Sequence, residues 1–170
     1  MSIRIITRTA ILLALTIVFQ SLGRFIPLGQ FSQFIVGPLV NACLIIAAAY
    51  TGLAGGAVVA VVSPFGAILT GAAIPLPFAP FIAGGNFVLV LVFFLLKKKP
   101  LVGIASGAVL KFGFLWASVN LFVWMMSIPA AKAVILIASF SWPQLVTAVI
   151  GGILALLVLM ALDKALKAEK

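Results

Sequence analysis

Five side chains stand out for chemistry because each falls inside or at the end of a long apolar run: Asn41, Asn86, Lys111, Asn120 and Gln144. An amide gives directional hydrogen bonds without charge, and an indole face stacks on a planar ring. Amides with Trp116 and Trp142 are therefore the usual content of a small-molecule pocket. Phe112, Trp116 and Asn120 are spaced i, i+4, i+8 and share one helix face. Nine residues separate Lys111 from Asn120, about 900° of helical turn, so those two point to opposite faces. Lys111 also lies roughly 15 Å along its helix from Pro100, too deep for easy snorkelling. It meets helix carbonyls, a partner subunit or an anionic ligand group.

Each residue has a plainer alternative. Ser141-Trp142-Pro143-Gln144 fits a capping box with proline early in the helix, which would occupy Gln144 with backbone donors. Asn86 follows Gly84-Gly85 and could bridge two helices, a bond worth about 0.6 to 2 kcal/mol. Trp124 and Trp142 fit an interfacial aromatic belt, whereas Trp116 sits deeper than a belt explains. Cys43, the single cysteine, fits a small buried hydrophobe. Arg24 and Lys132 fit solvated loop charges.

Other chemistries are excluded by what the chain does not contain. It has no histidine, and its two acids, Asp163 and Glu169, lie in the tail. No intramembrane acid or histidine can relay protons or hold sodium, no Walker loop can bind ATP, and no nucleophile–base pair exists. The expectation is a protein that is not an enzyme, holds no cofactor and no metal, and does not pump by itself. The net charge of +9 does not indicate nucleic acid, because the basic residues sit at the ends of apolar runs.

These residues need elements to position them, and composition says which. Of 170 residues, 65% are hydrophobic and 8% charged, with a mean hydropathy of +1.41. A soluble exterior cannot hide that much apolar surface, so an integral membrane protein is expected. The fold class is all-α, a single domain over 1–170 with six transmembrane helices near 5–22, 35–50, 53–73, 81–96, 101–126 and 142–162. About 20 apolar residues cross a bilayer core, which leaves little chain for a soluble catalytic domain. The first 22 residues mimic a signal peptide, but no small-residue cleavage site follows Gln20-Ser21-Leu22-Gly23-Arg24, so an uncleaved first span is expected. Gly37-Pro38 is placed near the start of the second span, where proline is tolerated. Thr51-Gly52 is a tight turn, and residues 128–140 form a loop with room for a short interfacial helix.

Six spans put both termini on one side, and the positive-inside rule makes that side cytoplasmic. Eight of the eleven basic residues then lie inside: Arg4, Arg8, Lys97, Lys98, Lys99, Lys164, Lys167 and Lys170. Only Arg24 and Lys132 fall outside. This topology sets depth: Asn41, Asn86, Trp116, Asn120, Trp142 and Gln144 fall in the outer half, with Gln30 and Gln33 on the outer loop at 23–34. That asymmetry points to a ligand cavity open to the outside. Small-residue spacings such as Ala10-x-x-x-Ala14 permit close helix contact. No internal repeat supports an inverted-repeat transporter.

With about six spans, inside termini and a first span reading Arg8-Thr9-Ala10-Ile11-Leu12-Leu13-Ala14-Leu15-Thr16, the chain resembles the substrate-binding S component of energy-coupling factor (ECF) vitamin transporters. In that family an alanine-x-x-x-alanine patch on the first helix docks the transmembrane coupling subunit, and Ala10 and Ala14 match it. The resemblance implies a subunit in the plasma membrane that captures a vitamin or cofactor precursor and reorients when the coupling subunit and two ATPase subunits act on it. It implies that residues 23–34 serve as a lid. Metal-transporting members need an N-terminal histidine, so nickel and cobalt are excluded. Amides, tryptophans and surplus positive charge favour a neutral or anionic compound over cationic thiamine. The two competing classes are a small structural or assembly membrane protein and a self-sufficient facilitator.

Overall fold

The computed structural model describes residues 2–26, 28–72 and 75–168, with the side chains of 29, 30 and 166–168 outside the description. Among the described residues every regular element is a helix: α1 (Ile3–Leu22), α2 (Gln33–Leu69), α3 (Ala79–Leu95), α4 (Pro100–Met125), α5 (Ala130–Ser139) and α6 (Trp142–Ala168). Short 3₁₀ turns lie at Gly23–Phe25, Gly29–Ser32 and Leu76–Phe78. Five helical stretches are long and apolar enough to cross a membrane. An all-helical chain is what lipid demands, because a helix satisfies its own backbone donors and acceptors where no water can.

A straight α2 of 37 residues would be about 55 Å long, against a hydrocarbon core of about 30 Å. It is not straight. Gly52 takes φ 72°, ψ −172°, a region that a side chain resists. A Cβ built on Gly56 would stand 3.2 Å from the Ala48 Cα. Residues eight apart in one helix are about 12 Å apart, so the chain doubles back at Gly52 into two arms, 33–51 and 53–69. The Thr51-Gly52 turn expected from sequence is this reversal.

Contacts at the bundle ends fix the order of the helices. At one end, Tyr50 Oη donates to Asp163 Oδ1 of α6 at 2.8 Å, and the Arg8 guanidinium of α1 lies 5.5 Å from the Tyr50 ring centroid. The beginning of α1 and the last turns of α6 therefore share an end. At the other end, Arg24 Nη1 donates to the Thr70 carbonyl at 2.8 Å, and the Phe78 ring meets Phe122 of α4 and Phe140 beside α5 at 5.2 and 5.3 Å.

Lipid tails are as apolar as leucine, so close packing rather than water exclusion holds such a bundle together. The core gathers Leu44, Ile45, Val59, Leu89, Val90, Phe93, Ile104 and Ala155. On α4 the buried stripe runs Ile104, Ala108, Lys111, Leu115, Val119, the 3.6-residue period of one inward face. α1 buries only Thr9, Thr16 and Gln20 and leaves most of its surface outward, Ala10 and Ala14 included.

The helix bounds depart from the sequence-based ones in several places. α2 opens at Gln33, which was expected on the loop at 23–34, and its second arm stops at Leu69 rather than 73. α6 runs on to Ala168 rather than 162. Residues 130–139 form α5, the short helix for which the expected loop at 128–140 left room. Pro38 is not in the first turn, because α2 begins at Gln33. It lies a turn deeper, and its missing N–H leaves the Phe34 carbonyl without its intrahelical donor.

Candidate functional site

Lys111 reaches inward from the middle of α4 and is 3% exposed. Its Nζ donates to Asn41 Oδ1 at 2.6 Å and to Asn86 Oδ1 at 2.8 Å. Both asparagines are 1% exposed. Asn41 comes from the first arm of α2 and Asn86 from α3, so one ammonium ties three elements. A fourth joins through Asn41 Nδ2, which points at Thr147 Oγ1 of α6 at 3.5 Å. The Thr147 hydroxyl donates onward to the Gln144 carbonyl at 3.3 Å.

Local packing explains why these groups can meet. A Cβ on Gly151 of α6 would lie 2.6 Å from both Asn41 Cβ and the Pro38 carbonyl oxygen, so only glycine lets α6 press against α2 beside Asn41. Gly37 repeats the device one turn away, where its Cβ would stand 2.8 Å from Thr147 Cβ.

The electrostatics are unbalanced. An ammonium has three protons to donate, and two bonds to amide oxygens account for two of them. Each bond from a charged donor contributes about 1.5–3 kcal/mol, while taking one ion out of water costs several kcal/mol. The chain's acids, Asp163 and Glu169, are both in its C-terminal tail, and Asp163 sits at the end of the bundle with Tyr50. Among the described residues no carboxylate stands beside Lys111, so amide dipoles alone surround its amine. Asn86 Nδ2 is buried and has no hydrogen-bond partner among the described residues. A buried amide nitrogen left so is costly, about 1–3 kcal/mol, and its cause has to be sought in what else the site receives.

The remaining sequence candidates separate into two places. Trp142 is 59% exposed and its ring lies 5.5 Å from that of Phe34. With Gln33, Phe31, Ser139 and Pro143 these rings line a cavity of about 110 Å³ between the start of α2 and the α5–α6 joint. Gln144 is half-buried and its Nε2 reaches the Ser139 carbonyl at 3.4 Å, capping the end of α5. The capping box, the alternative reading for Gln144, does not form: the Ser141 hydroxyl donates backward to the Ala138 carbonyl, and the Gln144 N–H meets the Ser141 carbonyl instead. The side chain of Gln30 lies outside the described residues.

Trp116 and Asn120 are not part of either group. Trp116 is 49% exposed, and Asn120 Nδ2 donates to the Trp116 carbonyl on its own helix at 2.7 Å. Both sit off the buried stripe of α4, on the side away from Lys111 as their spacing required. Thr147 is the residue that sequence reasoning missed. Its signal was modest: a hydroxyl one turn below Gln144 in an otherwise apolar run.

Against protein-family models, curated proteins and solved structures the chain finds no match.

Proposed function

We propose that the chain is the membrane-embedded substrate-binding subunit of an ECF-type importer, taking up a vitamin or cofactor precursor in the plasma membrane. The observation that carries this reading is the buried Lys111–Asn41–Asn86 cluster. Charged and amide groups inside a bilayer are expensive, and a chain that keeps them does so for a ligand or a pathway. The outer cavity between Phe34 and Trp142 supports it, because it lies on the same α2–α6 seam as Asn41 and Thr147. Folding α2 at Gly52 supports six spans, and the shared end of α1 and α6 supports termini on one side, cytoplasmic by the positive-inside rule.

The outward face of α1 supports the partners. Ala10 and Ala14 are exposed, so a coupling helix could approach there without displacing core side chains. Energy would come from that coupling subunit and two ATPases, since the chain carries no nucleotide-binding loop.

The test is isolation of the tagged chain from its native membrane in mild detergent, followed by an ATPase assay and uptake in vesicles. The reading expects ATP-hydrolysing subunits to co-isolate, Ala14→Leu to lose them, and vesicles holding the chain alone to accumulate nothing. Uptake by the chain alone would make it a facilitator. No co-isolating ATPase and no uptake would favour a structural protein, for which one observation speaks: the bonds of Lys111 to Asn41 and Asn86 close within the chain.

A further inference from the structure

The cluster around Lys111 is rich in donors and short of acceptors. Asn41 and Asn86 both turn their oxygens to the ammonium, which uses those oxygens as acceptors and leaves the nitrogens facing outward from it. Asn86 Nδ2 has no hydrogen-bond partner among the described residues, and Asn41 Nδ2 has Thr147 Oγ1 at the limit of hydrogen-bond reach. With the third Lys111 proton, the site offers charge-assisted and neutral N–H groups around a single positive charge. The group that complements this arrangement accepts only, is planar and carries one negative charge. A carboxylate has those properties. A phosphate dianion would leave the site net negative in a medium of low dielectric, and a cation would meet Lys111 unshielded.

We propose that Lys111, Asn86 and Asn41 together receive the carboxylate of a small monoanionic substrate, an inference that rests on the chain being a binding subunit. The substrate's body would lie toward the outer cavity, where Phe34 and Trp142 offer ring faces and Gln33 an amide. Phe34 and Asn41 are seven residues apart on one arm, about 10 Å along the helix, so a compound of a few ring or chain atoms bridges cavity and cluster. Between them Gly37 closes on Thr147. That neck lies where Pro38 has removed a helical hydrogen bond, the place where the first arm of α2 bends most easily.

The experiment is mass spectrometry of small molecules released by denaturing the full chain, purified in detergent from cells grown in rich medium. It compares the wild type with Lys111→Met and Asn86→Asp. Methionine removes the charge at similar length, and aspartate supplies an internal carboxylate that competes with the substrate's own. The inference expects a monocarboxylate from the wild type and at least a tenfold loss of it from both variants, each still eluting as a monodisperse protein. Should Lys111→Met fail to fold, Asn86→Asp carries the test alone. A released compound that is neutral or cationic, or one that stays with the variants, overturns the carboxylate assignment and leaves the binding reading standing. Release of lipid alone overturns the binding reading, and the assignment falls with it.

Discussion

Lys111 Nζ stands 2.8 Å from Asn86 Oδ1, while the nitrogen of that same amide meets no acceptor among the described residues. One side of the asparagine neutralises part of a buried charge, and the other side repeats its deficit. On the proposed reading this relationship gives the helix contact an appetite for negative charge, which the following outcomes test together with the fold.

Asn86→Asp gives Lys111 a counter-ion at hydrogen-bond distance. Pairing a buried charge that has none relieves part of its desolvation cost, so the variant is expected to be more stable than the wild type by about 1–3 kcal/mol. Thermal melting in detergent without added ligand checks it. An unchanged or lower midpoint would mean that Lys111 is already neutralised by another group.

Gly52→Ala tests the reversal in α2. Nothing lies within 4 Å of a Cβ at Gly52, so its cost is purely one of backbone conformation, about 1–3 kcal/mol. Gly52→Val, with a stiffer branch, is expected to cost more. Equal stability of all three proteins in a melting assay would contradict the hairpin.

Gly151→Val tests the seam instead. Here space is the constraint, because the added atoms meet Asn41 Cβ and the Pro38 oxygen. Overpacking of this kind costs about 1–3 kcal/mol, and it should also separate Asn41 from Thr147. The expected signature is a lower melting midpoint together with weaker ligand retention, a pair that Gly52→Ala shares only in its first half.

Topology has its own readout. Single cysteines at Lys98, between α3 and α4, and at Ser127, after α4, in a Cys43→Ala background should react with a membrane-impermeant thiol reagent from opposite sides. The six-span reading places Lys98 inside and Ser127 outside, so intact cells label only Ser127→Cys. Labelling of both from one side would remove a span.

Much of this was legible in the residues. Apolar content pointed to an all-helical chain with helices long enough to cross a membrane, and Thr51-Gly52 marked the reversal. Rotation about each helix axis was not legible. It depends on which small residues a neighbour presses against, here Gly37 and Gly151. Lys111 thus met two side-chain oxygens on other helices, outside the three options of carbonyl, partner or ligand group. Trp116 and Asn120 shared its helix and their expected depth with the cluster, yet face away from it.

The most direct test of the central claim is the stoichiometry of small molecules carried by the purified wild-type chain, counted by mass spectrometry after denaturation. The account predicts close to one vitamin-sized compound per chain. Repeated recovery of lipid alone, after growth in vitamin-rich medium, would contradict it and leave the Lys111 cluster as a joint between helices.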